Sequence, residues 1–240
     1  GSFISTSTIG VGFAFTVSNT AQFHLVNNTG GIFNLTDAAT LNGSRNKTIT
    51  NYGAINCNTS FNIGGNGQGT AQVNITNQAG ATFTVGTSFN NSMNNATVTV
   101  SNSGTVTIQS SYSQSGNAGT TVSLTNTGFF KTVQDIQATR GSITNQRIIE
   151  ARDITVSNAT FTNTSGSCVT ATRNFRIQGG AAVLTNNGGI KVTELFRNGA
   201  TVNLGQRSVV ATTHFTNELT GDINGPASIG GNDSNYAFIV

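Results

Sequence analysis

From Thr48 to Phe130 the chain carries no Asp, Glu, Lys, Arg or His, yet it keeps a regular beat. An aliphatic residue, then Thr or Ser, then Asn, is followed closely by Gly. The pattern reads Ile49-Thr50-Asn51-Tyr52-Gly53, then Ile75-Thr76-Asn77 with Gly80, then Val100-Ser101-Asn102-Ser103-Gly104, then Leu124-Thr125-Asn126-Thr127-Gly128. Its asparagines lie 26, 25 and 24 positions apart, and Asn27 stands 24 before the first of them. A fixed period of roughly 20 to 50 residues marks a repeat architecture, in which each unit buries its apolar face only against its neighbours.

A charge-free run could also belong to a membrane span or a disordered tract, and composition argues against both. No apolar stretch approaches the ~18 residues that cross a bilayer, so the chain is not expected to span a membrane. Disordered chains lack regularly placed Val, Ile, Leu and Phe and carry high net charge, whereas here those residues recur in alternation. Charged residues make up only 8% of the 240, against roughly a quarter in ordinary soluble proteins. Thr, Asn, Ser and Gly take their place, with one proline and no tryptophan. Thr favours strands; Asn and Gly favour turns. The formal charge of +3 is small, and nine of the 11 Lys and Arg lie from Lys131 onward. Nucleic acid is therefore not an expected partner, because a polyanion needs clustered cations. Cys57 and Cys168 show no CxxC spacing and read as small core residues.

Strand alternation is plain in Ala96-Thr97-Val98-Thr99-Val100 and Thr105-Val106-Thr107-Ile108, with aliphatics on one side and Thr on the other. The same pair of strands flanks the other Asn turns, and the Gly- and Asn-rich stretches between pairs leave room for a third short strand. The fold expected is all-β: a parallel β-helix, or β-solenoid, of about ten coils of roughly 19–26 residues. Residues 1–240 are read as one continuous solenoid, with charge-poor coils of about 25 residues over 1–130 and tighter, charge-bearing coils over 131–240. In the second half Gly180-Ala181-Ala182-Val183-Leu184 and Gly199-Ala200-Thr201-Val202-Asn203-Leu204 look like copies offset by 19, and Ala159-Thr160-Phe161 like an earlier copy 22 before Ala181.

The stretches Gly180 to Val192 and Gly199 to Val210, with their Gly-Ala-x-Val strand, Asn-Gly turn and Gly-x-Ile strand, resemble the β-helix of filamentous haemagglutinin-like adhesins and autotransporter passengers. Looser likenesses fall at Ala96–Ile108 and Thr121–Phe130. The longer charge-free coils depart from that family's usual period. The resemblance implies a secreted surface fibre or adhesin, located outside the cell or on its surface, and no catalytic residue.

Candidate sites are few. The turn asparagines Asn51, Asn77, Asn102, Asn126 and Asn186 can stack as a side-chain ladder, because an amide both donates and accepts. Gly64-Gly65-Asn66-Gly67-Gln68-Gly69 lacks the Lys-Ser/Thr of a phosphate loop and reads as a turn. Among the carboxylates only Glu150 and Asp153 are close in sequence, and Arg147 and Arg152 flank them, which suits a solvated ion-pair patch. His24 and His214 have no partner at metal-ligand spacing. No catalytic, metal or cofactor site is therefore expected, and the chain does not read as an enzyme. A polysaccharide-active β-helix would need grouped carboxylates. An ice-binding face would need outward Thr coil after coil. Thr97/Thr99, Thr82/Thr84 and Thr105/Thr107 suit it, while Gln72/Asn74, Thr121/Ser123, Ala54/Asn56 and Phe129/Lys131 interrupt it.

The function expected is an extracellular structural or adhesive solenoid that builds or decorates a fibre. Ile9, Val11, Phe13 and Phe15 alternate near one end, and Tyr236, Phe238, Ile239 and Val240 form an apolar strand at the other. Uncapped solenoid ends template pairing with another chain. The expected partners are thus other copies joined head to tail, with glycans or a cell surface beside them.

Overall fold

The computed structural model describes residues 2–18, 20–206, 208–225, 228–231 and 237–239, with the side chains of Gln68, Thr70 and 226–240 excluded. Every regular element described is a strand. Parallel strands stack as a β-solenoid of about ten turns. A coil has three faces, and each face receives one strand per turn.

The first coil is β1 (Ser2–Ser5), β2 (Thr8–Val11) and β3 (Phe15–Val17); the second is β4 (Phe23–Asn27), β5 (Ile32–Leu35) and β6 (Ala39–Asn42). Next come β7 (Lys47–Asn51), β8 (Ala54–Cys57) and β9 (Phe61–Gly64), then β10 (Asn66–Asn77), β11 (Thr82–Val85) and β12 (Phe89–Asn91). The fifth coil is β13 (Asn94–Asn102), β14 (Thr105–Ile108) and β15 (Tyr112–Gln114); the sixth is β16 (Thr121–Asn126), β17 (Phe129–Thr132) and β18 (Asp135–Ala138). Beyond it the strands fuse around the corners: β19 (Ser142–Asn145), β20 (Ile148–Ser157), β21 (Thr160–Asn163), β22 (Cys168–Asn186), β23 (Gly189–Leu204) and β24 (Val209–Asn217). Then follow β25 (Asp222–Asn224), β26 (Ser228–Gly231) and β27 (Ala237–Ile239).

Residues pointing inward form continuous columns. Face 1 stacks Leu25, Ile49, Ile75, Val100, Leu124, Ile143, Phe161, Leu184 and Val202. Face 2 stacks Phe33, Ile55, Phe83, Val106, Phe130, Ile149, Val169, Ile190 and Val210. All of these are buried. Face 3 supplies most of an aromatic spine. Phe61, Phe89 and Tyr112 lead to Phe130 of face 2, at centroid distances of 5.0, 5.5 and 5.3 Å. Higher in the stack, Phe161 of face 1 leads to Phe175 and Phe196 at 5.5 and 5.6 Å. Each such pair adds about 0.5 to 1.5 kcal/mol beyond the area it buries.

The coils tighten after Asn126. Ladder asparagines are 24, 26, 25 and 24 residues apart up to that point, then 19 and 18, then 23. In the shorter coils the corner between faces 2 and 3 shrinks to a kink inside a single strand. It is marked by register shifts after Ala151 and Val192. Arg152, Arg173 and Glu194 occupy that corner, so charge returns where the coil tightens.

Two readings of the repeat need correction. Phe161 pairs with Leu184 and Leu184 with Val202, whereas the sequence comparison aligned Phe161 with Val183 and Leu184 with Asn203. A slip of a single position would have turned every side chain to the other side of the sheet. Gly199 likewise pairs with Gln178 and not with Gly180. The register slips between Gln178 and Val183, where Gly179 has φ of 88°. Cys57 is buried, but Cys168 is exposed because it takes an outward position on face 2, between Ile148 and Gly189.

Candidate functional site

Eight asparagines, Asn27, Asn51, Asn77, Asn102, Asn126, Asn145, Asn163 and Asn186, stand one above another at the corner between faces 1 and 2. Each Nδ2 from Asn27 to Asn163 donates to the Oδ1 of the next at 2.8 to 2.9 Å. All eight are at most 2% exposed. The amide also ties down the turn. Asn126 Nδ2 donates to the carbonyls of Gly128 (3.1 Å) and Ile148 (2.7 Å), and Gly128 N–H donates back to Asn126 Oδ1 at 3.3 Å. The five turn asparagines named from the sequence are all here. Asn145 was missed because no Gly follows it closely, and Asn163, which has Gly166 three positions on, because the spacing drops there to 19 and 18; Ile143-Thr144-Asn145 and Phe161-Thr162-Asn163 keep the rest of the pattern.

That corner holds the edge of face 1, where two long columns of outward residues run beside the ladder and a short third one holds Gln72, Thr97 and Thr121. The column next to the ladder runs Thr50, Thr76, Ser101, Thr125, Thr144, Thr162 and Thr185: a hydroxyl at seven consecutive levels. The second runs Thr48, Asn74, Thr99, Ser123, Ser142 and Thr160, then Val183 and Thr201. Pairing along these columns is unbroken from Thr48 to Thr185, so every level adds one residue to each. Neither contains a charge or an aromatic ring over that span. Among the described residues, the seven hydroxyls of the first column make no hydrogen bond within the protein. Corner hydroxyls do: Thr127 Oγ1 donates to Asn102 O at 3.2 Å, and Thr164 Oγ1 to Asn145 O at 3.1 Å.

The interruptions read from the sequence come from two different faces. Thr97/Thr99, Gln72/Asn74 and Thr121/Ser123 lie on face 1. Thr82/Thr84, Thr105/Thr107, Ala54/Asn56 and Phe129/Lys131 lie on face 2, which is mixed. The Thr beside each Asn had passed for part of the turn. It is in fact the outermost column of face 1.

Elsewhere the charged groups pair with one another, while the buried Asn91 amide and Thr59 hydroxyl have no hydrogen-bond partner among the described residues. Glu150 on face 2 lies 3.4 Å from Lys131. Asp153 on face 3 receives Arg152 at 3.2 Å, Asn174 Nδ2 at 2.8 Å and the Arg173 guanidinium. Burial raises the Asp153 pKa, but the bonds from Arg173, Asn174 and Arg152 and the Arg173 charge outweigh it and bring it down to about 2. Lys47 closes the charged stretch before the uncharged run, yet it points inward in the column of Phe23 and Val73. It is 0% exposed, and its Nζ donates to Arg45 O at 3.0 Å. Burial lowers its pKa. The stretch Gly64 to Gly69, read as a turn, is mostly strand: Gly64 ends β9, Gly65 (φ of 96°) makes the corner, and Asn66 to Gly69 open β10, with φ of 81° at Gly69 and a register shift before Ala71. Among the described residues no three His, Cys, Asp or Glu gather as a metal site would require, and no helix is long and apolar enough to cross a membrane.

At the first coil, Ile9 and Val11 lie on β2 and Phe15 on β3, part-buried against the core, while Phe13 lies between the two strands and is exposed. Their alternation therefore spans a corner and is not one strand. With Phe3, Phe23 and Phe33, the residues Ile9, Val11 and Phe15 line an apolar hollow of about 150 Å³. At the other end, Phe238 and Ile239 lie on β27, antiparallel along the outer edge of β26. Tyr236 and Val240 fall outside the described residues. Comparison with protein-family models, curated proteins and solved structures found no match.

Proposed function

We propose that this chain is an extracellular structural and adhesive β-solenoid that lays face 1 flat against a repeating surface. The observation carrying this reading is the unbroken register that aligns uncharged hydroxyls over seven levels on face 1. Soluble proteins protect flat β surfaces with charge, and a wall without it favours close contact. The resemblance to haemagglutinin-like adhesins points the same way. The outer edges of β1, β2 and β3 are unpaired among the described residues, and Ile4 is 67% exposed beside them. Further coils, supplied by another copy, would continue the stack there by strand addition.

The test is adsorption and imaging of the full chain. Native protein is expected to adsorb to immobilised glycans or a flat mineral surface with face 1 down, and to form end-to-end rows by electron microscopy. Thr125→Lys with Thr144→Lys should reduce adsorption, and Ile4→Lys should shorten the rows. A monomer whose adsorption is unchanged by the face 1 substitutions would sink the reading.

A further inference from the structure

We propose that face 1 is an ice-binding site, whose ligand is the ordered water of an ice surface. This names the surface for the contact-wall reading above and rests on it. The case begins with spacing. Successive levels of a parallel stack are ~4.8 Å apart, and outward residues two apart on a strand are about 6.6 Å apart. Thr48/Thr50, Thr99/Ser101, Ser123/Thr125, Ser142/Thr144 and Thr160/Thr162 thus sit on a rectangular grid whose repeats are of the order of the oxygen–oxygen repeats in hexagonal ice.

Rigidity comes next. Thr is stiff at χ1. The Asn ladder fixes the edge of the sheet one residue away, and side-chain ladders are one of the devices that hold a sheet flat. The grid is therefore ordered before it meets its ligand, which lowers the entropy lost on contact. The first column runs six intervals from Thr50 to Thr185, roughly 29 Å.

The chemistry of the columns then selects among flat ligands. Each Thr of the first column offers one free hydroxyl and one methyl: the first can join a water lattice, the second orders water around itself. A crystalline polysaccharide calls for aromatic platforms against its sugar rings, and the columns have none. A second copy of the chain calls for apolar side chains, and the first column presents outward hydroxyls instead. Anionic surfaces call for Lys or Arg, and among the described residues the outward ones lie on other faces or at corners, Lys47 of β7 pointing inward.

The experiment measures ice recrystallisation and thermal hysteresis with the full chain. Native protein is expected to slow recrystallisation and shape ice crystals. Thr125→Lys with Thr144→Lys should need about tenfold more protein for the same effect. Thr107→Lys, on face 2, should match the native protein. Thr125→Val with Thr144→Val keeps the side-chain shape and removes the hydroxyls, so it provides a second variant, and circular dichroism melts verify that each is folded. An inactive native protein overturns the proposal, as does equal loss from the face 1 and face 2 variants. Retention on crystalline chitin or cellulose, or dimerisation through face 1, without any effect on ice also overturns it. If adsorption through face 1 persists in those cases, only the choice of ice falls; if adsorption is lost as well, the adhesive reading falls with it.

Discussion

Asn102 shows how much one side chain does in this fold. It is 1% exposed, accepts from Asn77 at 2.9 Å, and donates to Asn126 Oδ1 at 2.8 Å and Phe129 O at 2.9 Å. Asn102→Ala leaves buried groups unpaired on both sides and should cost about 2 to 3 kcal/mol in urea unfolding. Asn34→Ala, in a part-buried outer pair with Asn56, should stay within about 0.5 kcal/mol. The ladder starts abruptly. Ser5 takes the level below Asn27, and Asn27 Oδ1 has no partner among the described residues. Asp153 gives the stack a pH dependence. Its folded pKa of about 2 lies below the ordinary unfolded value of about 3.9, so its contribution is full above about pH 4. That contribution is lost as pH falls from about 4 to about 2, and melting curves over this window should flatten in Asp153→Asn. At this scale the aliphatic-Thr-Asn pattern revealed most of the ladder. The inward turn of Lys47 and the outward one of Cys168 were not legible, because each depends on register.

The Asn turn is the element that sets coil spacing, and its glycine serves steric closeness. A Cβ on Gly128 would lie 2.1 Å from Gly104 O, and one on Gly104 2.3 Å from Ala81 O. Neither glycine has a positive φ. Gly128→Ala must therefore push two coils apart, and it should destabilise by more than the ~1 kcal/mol typical of a point mutation. Scanning calorimetry of this variant beside Gly12→Ala, where a Cβ meets nothing within 4 Å, separates crowding from lost flexibility. Strand existence was readable from alternation nearly everywhere. The tighter coils were not aligned correctly, because register slips such as that after Gln178 add or remove residues without leaving a distinct signature.

Over the whole molecule, charge and function separate along the stack. The early coils are wrapped in Thr, Ser and Asn, while the later ones carry ion pairs at a corner, Arg152 bridging Asp135 (3.0 Å) and Asp153 (3.2 Å). Arg152 is exposed, so its own two pairs should contribute little, and the lowered pKa of Asp153 comes chiefly from Arg173 and Asn174. The consequence is a salt response: raising ionic strength should leave adsorption through face 1 nearly unchanged, because screening acts on charges and the face has none. Adsorption measured from low to high salt checks this, and a steep fall would place the contact on the cationic corner instead.

Period, alternation and the missing charge were enough to establish an all-β stack, its coil length and the chemistry of its surface, since each is a local property of strand and turn. Which residues share a face was decided only by tertiary register. Thr50 and Thr125 are far apart in the chain yet stand in one column, with Thr76 and Ser101 between them. The ladder asparagines beside them are separated by 26, 25 and 24 positions, so no two of these coils are alike in length. Unequal coils close onto the same column because turns absorb the difference and each buried Asn amide bonds both its counterpart and the backbone of the adjoining turns. A sequence read at one fixed period loses that alignment, and with it the face.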